Sequence, residues 1–177
     1  QTVPIQNPYA YGNAWFVDKV NYADNADQEH DGRAAIDLRH EAVADKKFEK
    51  QLGTAVKQES TSMATLKSYE PNNLKHEVNS EKGGVLVFSE IYYPGWTATV
   101  DGQPVELGRV NYVLRAMNIK PGKHEVVLDF HPASINNTEA VAYTAYAILM
   151  VMAAFGVFME WYKRHRKAKA LKKAKAA

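Results

Sequence analysis

Cysteine is absent from the 177 residues, which excludes disulfide staples, thiolate metal sites and a cysteine nucleophile. The six histidines, at 30, 40, 76, 124, 131 and 165, form no HxxxH pair and have no suitably spaced second ligand. Zinc therefore has no support. No serine or threonine stands in a nucleophile-elbow context, and no glycine-rich loop suits a phosphate. Neither a catalytic residue nor a cofactor is expected from this chain. Acidic residues are missing from the last fifteen positions, Lys163 to Ala177, which hold eight of the 22 Lys and Arg. The net charge of +2 thus divides into a body, residues 1–162, with 14 basic against 20 acidic residues, and a wholly basic tail. With 46% apolar and 24% charged residues, neither a disordered chain nor a polytopic helical bundle fits.

Between body and tail, Ala140 to Phe158 is nineteen residues without a charge, bracketed by Glu139 and Glu160. As a helix it rises about 28 Å, against a hydrocarbon core of roughly 30 Å. A soluble helix needs a polar face at 3.6-residue spacing, and this run has none. A transmembrane helix is expected over residues 139–162. Tyr143 near one end, and Trp161, Tyr162, Lys163 and Arg164 at the other, are the side chains expected at the membrane interface. The basic cluster from Lys163 to Lys175 then marks a cytoplasmic end, with the body outside or in the periplasm. The tail lacks interleaved aromatics and follows directly on the apolar run, so attraction to lipid headgroups explains it more simply than nucleic acid.

The body reads as mainly β. Over residues 62–135, strand patterns separated by turn signals about every ten residues predict an antiparallel β-sandwich. Trp96, Ala98 and Val100 alternate with Thr97 and Thr99 up to Asp101-Gly102, a pair suited to a type I′ hairpin turn. Pro121-Gly122 suits a type II turn. Val126, Leu128 and Phe130 share one face, and the run Val85 to Phe88 is apolar on both faces, as in a central strand. Residues 1–61 read as a smaller mixed α/β part packed on the sandwich. Strands are expected at Ala14 to Val17 and Glu41 to Ala44, and short helices at Arg33 to Leu38 and Lys46 to Leu52. Gly53 would close the second helix.

Asp24, Asp27, Glu29 and Asp31 crowd eight positions, but the spacing of a calcium loop is missing. Solvated turn and helix-cap residues are the expected reading. The most distinctive peptide is Tyr92-Tyr-Pro-Gly-Trp96. Tyr92, Tyr93 and Trp96 are candidate glycan contacts, because sugar C–H faces stack on aromatic rings; core and turn duty is the competing role. Arg115 is a fourth candidate, through an anionic ligand, or else a partner for Glu90.

Five blocks come in order: Asn7-Pro-Tyr-Ala-Tyr-Gly-Asn-Ala-Trp-Phe-Val17, Val87-Phe-Ser-Glu-Ile-Tyr-Tyr-Pro-Gly-Trp96, Val100-Asp-Gly102, Arg109-Val-Asn-Tyr-Val-Leu-Arg-Ala116 and Pro121-Gly-Lys-His124. The series resembles the C-terminal part of YfhO-family bacterial membrane proteins, particularly those of Bacteroidetes type. The resemblance implies a polytopic protein similar to GT-C-type glycosyltransferases, using a lipid-linked sugar donor at the outer face of the cytoplasmic membrane. Catalytic acidic residues of such enzymes lie in an N-terminal membrane region, so none is carried onto this chain. The implied partners are the lipid bilayer, the remaining transmembrane helices of a longer chain or partner membrane subunits, and a cell-envelope glycan. The chain opens at Gln1 without a basic and apolar leader, as a piece of a longer protein or a processed one would. A single-span anchored binding or assembly protein is the alternative. A soluble domain whose apolar helix docks in a partner's groove is a third reading.

Overall fold

The computed structural model describes residue 7, residues 10–59 and residues 61–175, with the backbone alone over 133–137 and 168–175. Pro8 and Tyr9 of the first resemblance block, and Ala176 and Ala177 of the tail, lie outside the described residues. The chain divides into two compact units, Gln1–Pro132 and Ala133–Ala177.

The first unit is a β-sandwich, as the strand periodicity predicts. One sheet has four antiparallel strands: β1 (Ala14–Val17), β6 (Gly84–Ile91), β10 (Leu114–Ile119) and β9 (Gly108–Val110), in the order β1-β6-β10-β9. The other has five: β4 (Met63–Glu70), β5 (Asn73–Ser80), β11 (Gly122–Phe130), β7 (Trp96–Val100) and β8 (Gln103–Val105), in the order β4-β5-β11-β7-β8. The β7–β8 hairpin turns at Asp101 and Gly102 with φ of 51° and 76°, the doubly left-handed turn that Asp-Gly favours. Gly122 at φ 128° reverses the chain between β10 and β11.

The run Val85 to Phe88 is apolar on both faces because its sheet is covered twice. Leu86 and Phe88 face the second sheet and pack with Leu74, Val78, Met117 and Leu128. Val85 and Val87 face the other way, into a second core with Val17, Ala42, Ala44, Phe48 and Leu52. That second core is the contribution of the N-terminal part. Here β2 (Lys19–Ala23) and β3 (Glu41–Asp45) pair in parallel, joined through α1 (Ala26–Gly32) and a 3₁₀ turn at Arg33–Ala35. A second 3₁₀ turn, Lys46–Phe48, runs into α2 (Glu49–Leu52), which stops at Gly53 with φ 62°.

Two expectations for this part need correcting. The helix read from Arg33 to Leu38 is only a short 3₁₀ turn, since Ile36 is already extended at φ −129°. The helix lies earlier, in the acidic cluster, where the Asn25 side chain accepts a hydrogen bond from the Gln28 N–H and caps α1. Most of that cluster is exposed as expected, but Glu29 is fully buried. Its carboxylate accepts from Arg109 Nη2 at 2.5 Å and from the Tyr112 N–H at 2.9 Å. Asn111 completes the junction. Its N–H donates to Val43 O, and its Oδ1 accepts from the Val43 N–H, so one residue at φ 51° continues the β9 edge onto β3.

The second unit is one helix, α3 (Ala133–Lys175), 43 residues long. Within it, Thr138–Lys167 is long and apolar enough to cross a membrane, and it is the one such helix among the described residues.

Candidate functional site

The aromatic turn joins β6 to β7 and so passes from one sheet to the other. Its conformation is held from outside. The Tyr92 N–H donates to Val113 O at 2.7 Å, and the His131 N–H donates to Gly95 O at 2.8 Å. Gly95 has φ 102°, and a Cβ placed there would lie 2.9 Å from the Cα of Pro132. Glycine is thus required twice, for its backbone angle and for close approach. Gly95→Ala is expected to cost about 1–3 kcal/mol of stability. Gly102→Ala should cost less in urea titrations, because nothing lies within 4 Å of that Cβ. Equal losses at the two sites would show that the contact with Pro132 carries no strain.

The three rings of the turn have different neighbours. Tyr92 is half-buried, edge-on to Phe48 at 5.5 Å, and belongs to the core beneath the first sheet. Tyr93 is 60% exposed, with its ring 6.2 Å from Phe130. Trp96 is half-buried, 5.1 Å from Phe130 on one side, with the Arg115 guanidinium 4.0 Å from its ring centroid. A cleft of about 680 Å³ opens beside the turn, lined by Tyr92, Tyr93 and Trp96 together with Gln51, Thr97 and the stretch Pro104 to Leu107. It combines aromatic surface with hydroxyl, amide and carboxylate groups, a lining suited to a polar ligand with apolar faces.

Arg115 is placed differently from the three rings. It is 1% exposed and lies behind Trp96, so it meets the cleft only through that ring. Its Nη2 donates to Glu90 Oε2 at 3.1 Å, the pairing foreseen as the alternative role. Burial lowers the guanidinium pKa, and the Glu90 carboxylate works in the opposite direction. Deeper in the same interior, His76 sits edge-on to Phe88 at 5.2 Å. Burial first, and then the Arg115 charge, lower its pKa from 6.5 to about 4.

This gives the β-unit an acid sensitivity with a defined sign. Between pH 6.5 and about 4 the unfolded imidazole binds a proton that the folded one excludes, so stability falls as pH drops across that window. His124 acts oppositely. Its hydrogen bond to Asp101 raises its pKa, so that pair stabilises below pH 6.5 and the benefit is lost as pH rises through the raised value. In thermal melts from pH 7 to pH 4, His76→Leu should flatten the loss, while His124→Ala should steepen it. An unchanged slope in His76→Leu would rule out His76 as the sensor.

The stretch Pro104 to Leu107 and Gln51 were not read as site residues from sequence. A signal existed for part of it, because a two-residue turn at Asp101-Gly102 fixes the register that sets Val105 opposite Ala98. For Gln51 there was none, since it comes from a helix fragment in another part of the chain.

On α3 the expected interface residues are all exposed. Tyr143 lies toward the start of the apolar run. Trp161 stacks on His165 at 4.6 Å, Tyr162 stacks on Phe158 at 6.2 Å, and Arg164 pairs with Glu160 at 3.1 Å. Lys163 adds its charge next to this aromatic pair.

A two-sheet β-unit is followed by a helix whose apolar stretch has no buried residue and is long enough to span a membrane, as in a membrane protein with a β-sandwich domain. The family described as bacterial membrane protein YfhO matches residues 35–141, more than half the chain, and the chain belongs to that family. The match takes in the aromatic turn and the cleft. No curated protein and no solved structure matches the chain.

Proposed function

We propose that this chain is the extracytoplasmic C-terminal module of a polytopic, glycosyltransferase-like membrane protein, and that it holds a cell-envelope glycan in the cleft beside the aromatic turn. The observation that carries the reading is the cleft itself, where three rings from one five-residue segment meet polar groups of Gln51, Thr97 and Glu106. Tyr93 supplies the open aromatic face, Tyr92 and Trp96 supply the walls, and Arg115 fixes the tilt of Trp96 from behind. The module is non-catalytic by itself and works beside the remaining transmembrane helices of a longer chain or partner subunits. Its orientation follows from the basic tail, which favours the cytoplasmic side.

Because Tyr93 is exposed, its truncation tests binding without disturbing the core. In detergent-solubilised full chain, saccharides of the cell envelope should change Trp96 fluorescence saturably. Tyr93→Ala should weaken that response about tenfold, the loss of roughly 1.4 kcal/mol, at an unchanged melting temperature. No saturable response to any saccharide, or an unaltered one in Tyr93→Ala, would reject the glycan reading. The orientation is tested separately: in sealed cells, protease added outside should degrade the β-unit and spare an epitope on the tail.

A further inference from the structure

Among the described residues of the β-unit, eight large apolar side chains are exposed: Tyr11, Val56, Met63, Tyr69, Ile91, Tyr93, Tyr112 and Val113. The strand registers sort them. Trp96 lies opposite Phe130, Asn73 opposite Asp129, Leu114 opposite Ile91 and Ala14 opposite Phe88. The ends of β4, β6, β9 and β11 and the starts of β1, β5, β7 and β10 therefore share one end of the sandwich. Tyr11, Tyr69, Ile91, Tyr93, Tyr112 and Val113 all stand at that end. Val56 and Met63 stand at the other, Val56 beside Gly84 and Met63 opposite Asn79. Six of eight at one end is not the scatter expected of isolated surface residues.

This is also the end from which the chain leaves the β-unit. β11 finishes at Phe130 and α3 begins at Ala133. From Ala133 to Ala140, where the uncharged run starts, a helix rises only about 10 Å, little more than a headgroup layer. Four of the six residues are tyrosines, the amphipathic ring type favoured at membrane–water boundaries. Guanidinium groups accompany two of them: Arg39 lies 4.8 Å from the Tyr11 ring and Arg33 lies 5.8 Å from the Tyr112 ring. Arginine suits lipid phosphates.

We infer that this end of the sandwich is a lipid-docking surface that seats in the headgroup layer of the bilayer crossed by α3. The inference rests on α3 as a membrane span; it shares Tyr93 with the glycan cleft, and its test reads Ile91 and Val113, which lie outside that cleft. Ile91 and Val113 enter the boundary between headgroups and acyl chains, and the tyrosines surround them.

The cysteine-free chain permits single labels. Full chains carrying Ile91→Cys, Val113→Cys or Met63→Cys, each with an environment-sensitive fluorophore, are reconstituted into phosphatidylcholine–phosphatidylglycerol vesicles. A lipid-borne quencher should reduce emission from the first two several-fold more than from Met63→Cys, and iodide should reach them several-fold less. Equal quenching at all three sites would overturn the inference. Shielding from iodide without quenching from the lipid would overturn it too, and would assign this end to a protein contact instead.

Discussion

Phe88→Ala is expected to lower the unfolding free energy of the β-unit by about 3–5 kcal/mol, the range for truncating a fully buried aromatic. Phe88 is inaccessible to solvent on β6, which is hydrogen-bonded to β1 on one side and β10 on the other. Its ring fills the space between the sheets, among Leu74, Val78, Met117 and Leu128, with the His76 ring edge-on to it. Neighbours fixed in two hydrogen-bonded sheets cannot close around the missing ring, so the cavity persists and its cost adds to the lost transfer energy. Against a typical total of about 5–15 kcal/mol, a loss of this size removes much of the margin. Urea unfolding of the detergent-solubilised chain, followed by tryptophan fluorescence, measures it. A loss below about 1 kcal/mol would mean that the sandwich interior repacks freely rather than holding close-packed neighbours in place.

Glu90→Ala is expected to cost a similar amount, about 3–5 kcal/mol, by a different mechanism. Arg115 is 1% exposed, whereas the Glu90 side chain is 30% exposed. The Glu90 carboxylate is the one acceptor that reaches the guanidinium among the described residues; its Nε and Nη1 have none. Without the carboxylate, a charge stays buried behind Trp96 with no hydrogen-bond acceptor among the described residues. Removing the charge as well should recover most of the loss, because a buried ion pair replaced by apolar groups is often neutral or better. The double-mutant cycle of Glu90→Ala with Arg115→Met is thus expected to show strong non-additivity. Trp96 emission should change in both single variants, since the guanidinium covers its ring. Additive losses would sink the pairing as the reason Arg115 tolerates burial.

Much of the sandwich was legible because strand signals are local. Alternation from Trp96 to Val100, the two-sided apolar run Val85 to Phe88 and the Asp101-Gly102 turn each depend on adjacent residues and their backbone preferences. The N-terminal part was less legible, and Arg33 to Leu38 shows why. Its short segments have weak intrinsic preference, and the cap at Asn25 outweighed the apolar pattern that placed the helix too late. Glu29 could not be read as buried from its acidic neighbours. Its partners, Arg109 and Tyr112, lie about eighty residues further along the chain.

By itself the sequence determined the apolar span, its basic flank, the sandwich class and the chemical identity of the aromatic turn, since these follow from composition, period and turn stereochemistry over short stretches. Only the tertiary structure decided what each ring does. It set Tyr92 against Phe48, left Tyr93 exposed, and covered Trp96 with Arg115. It also brought six exposed apolar residues from four separate segments to one end of the sandwich. The physical reason is that burial and neighbourhood depend on strand order and register between distant segments. Local pattern carries neither.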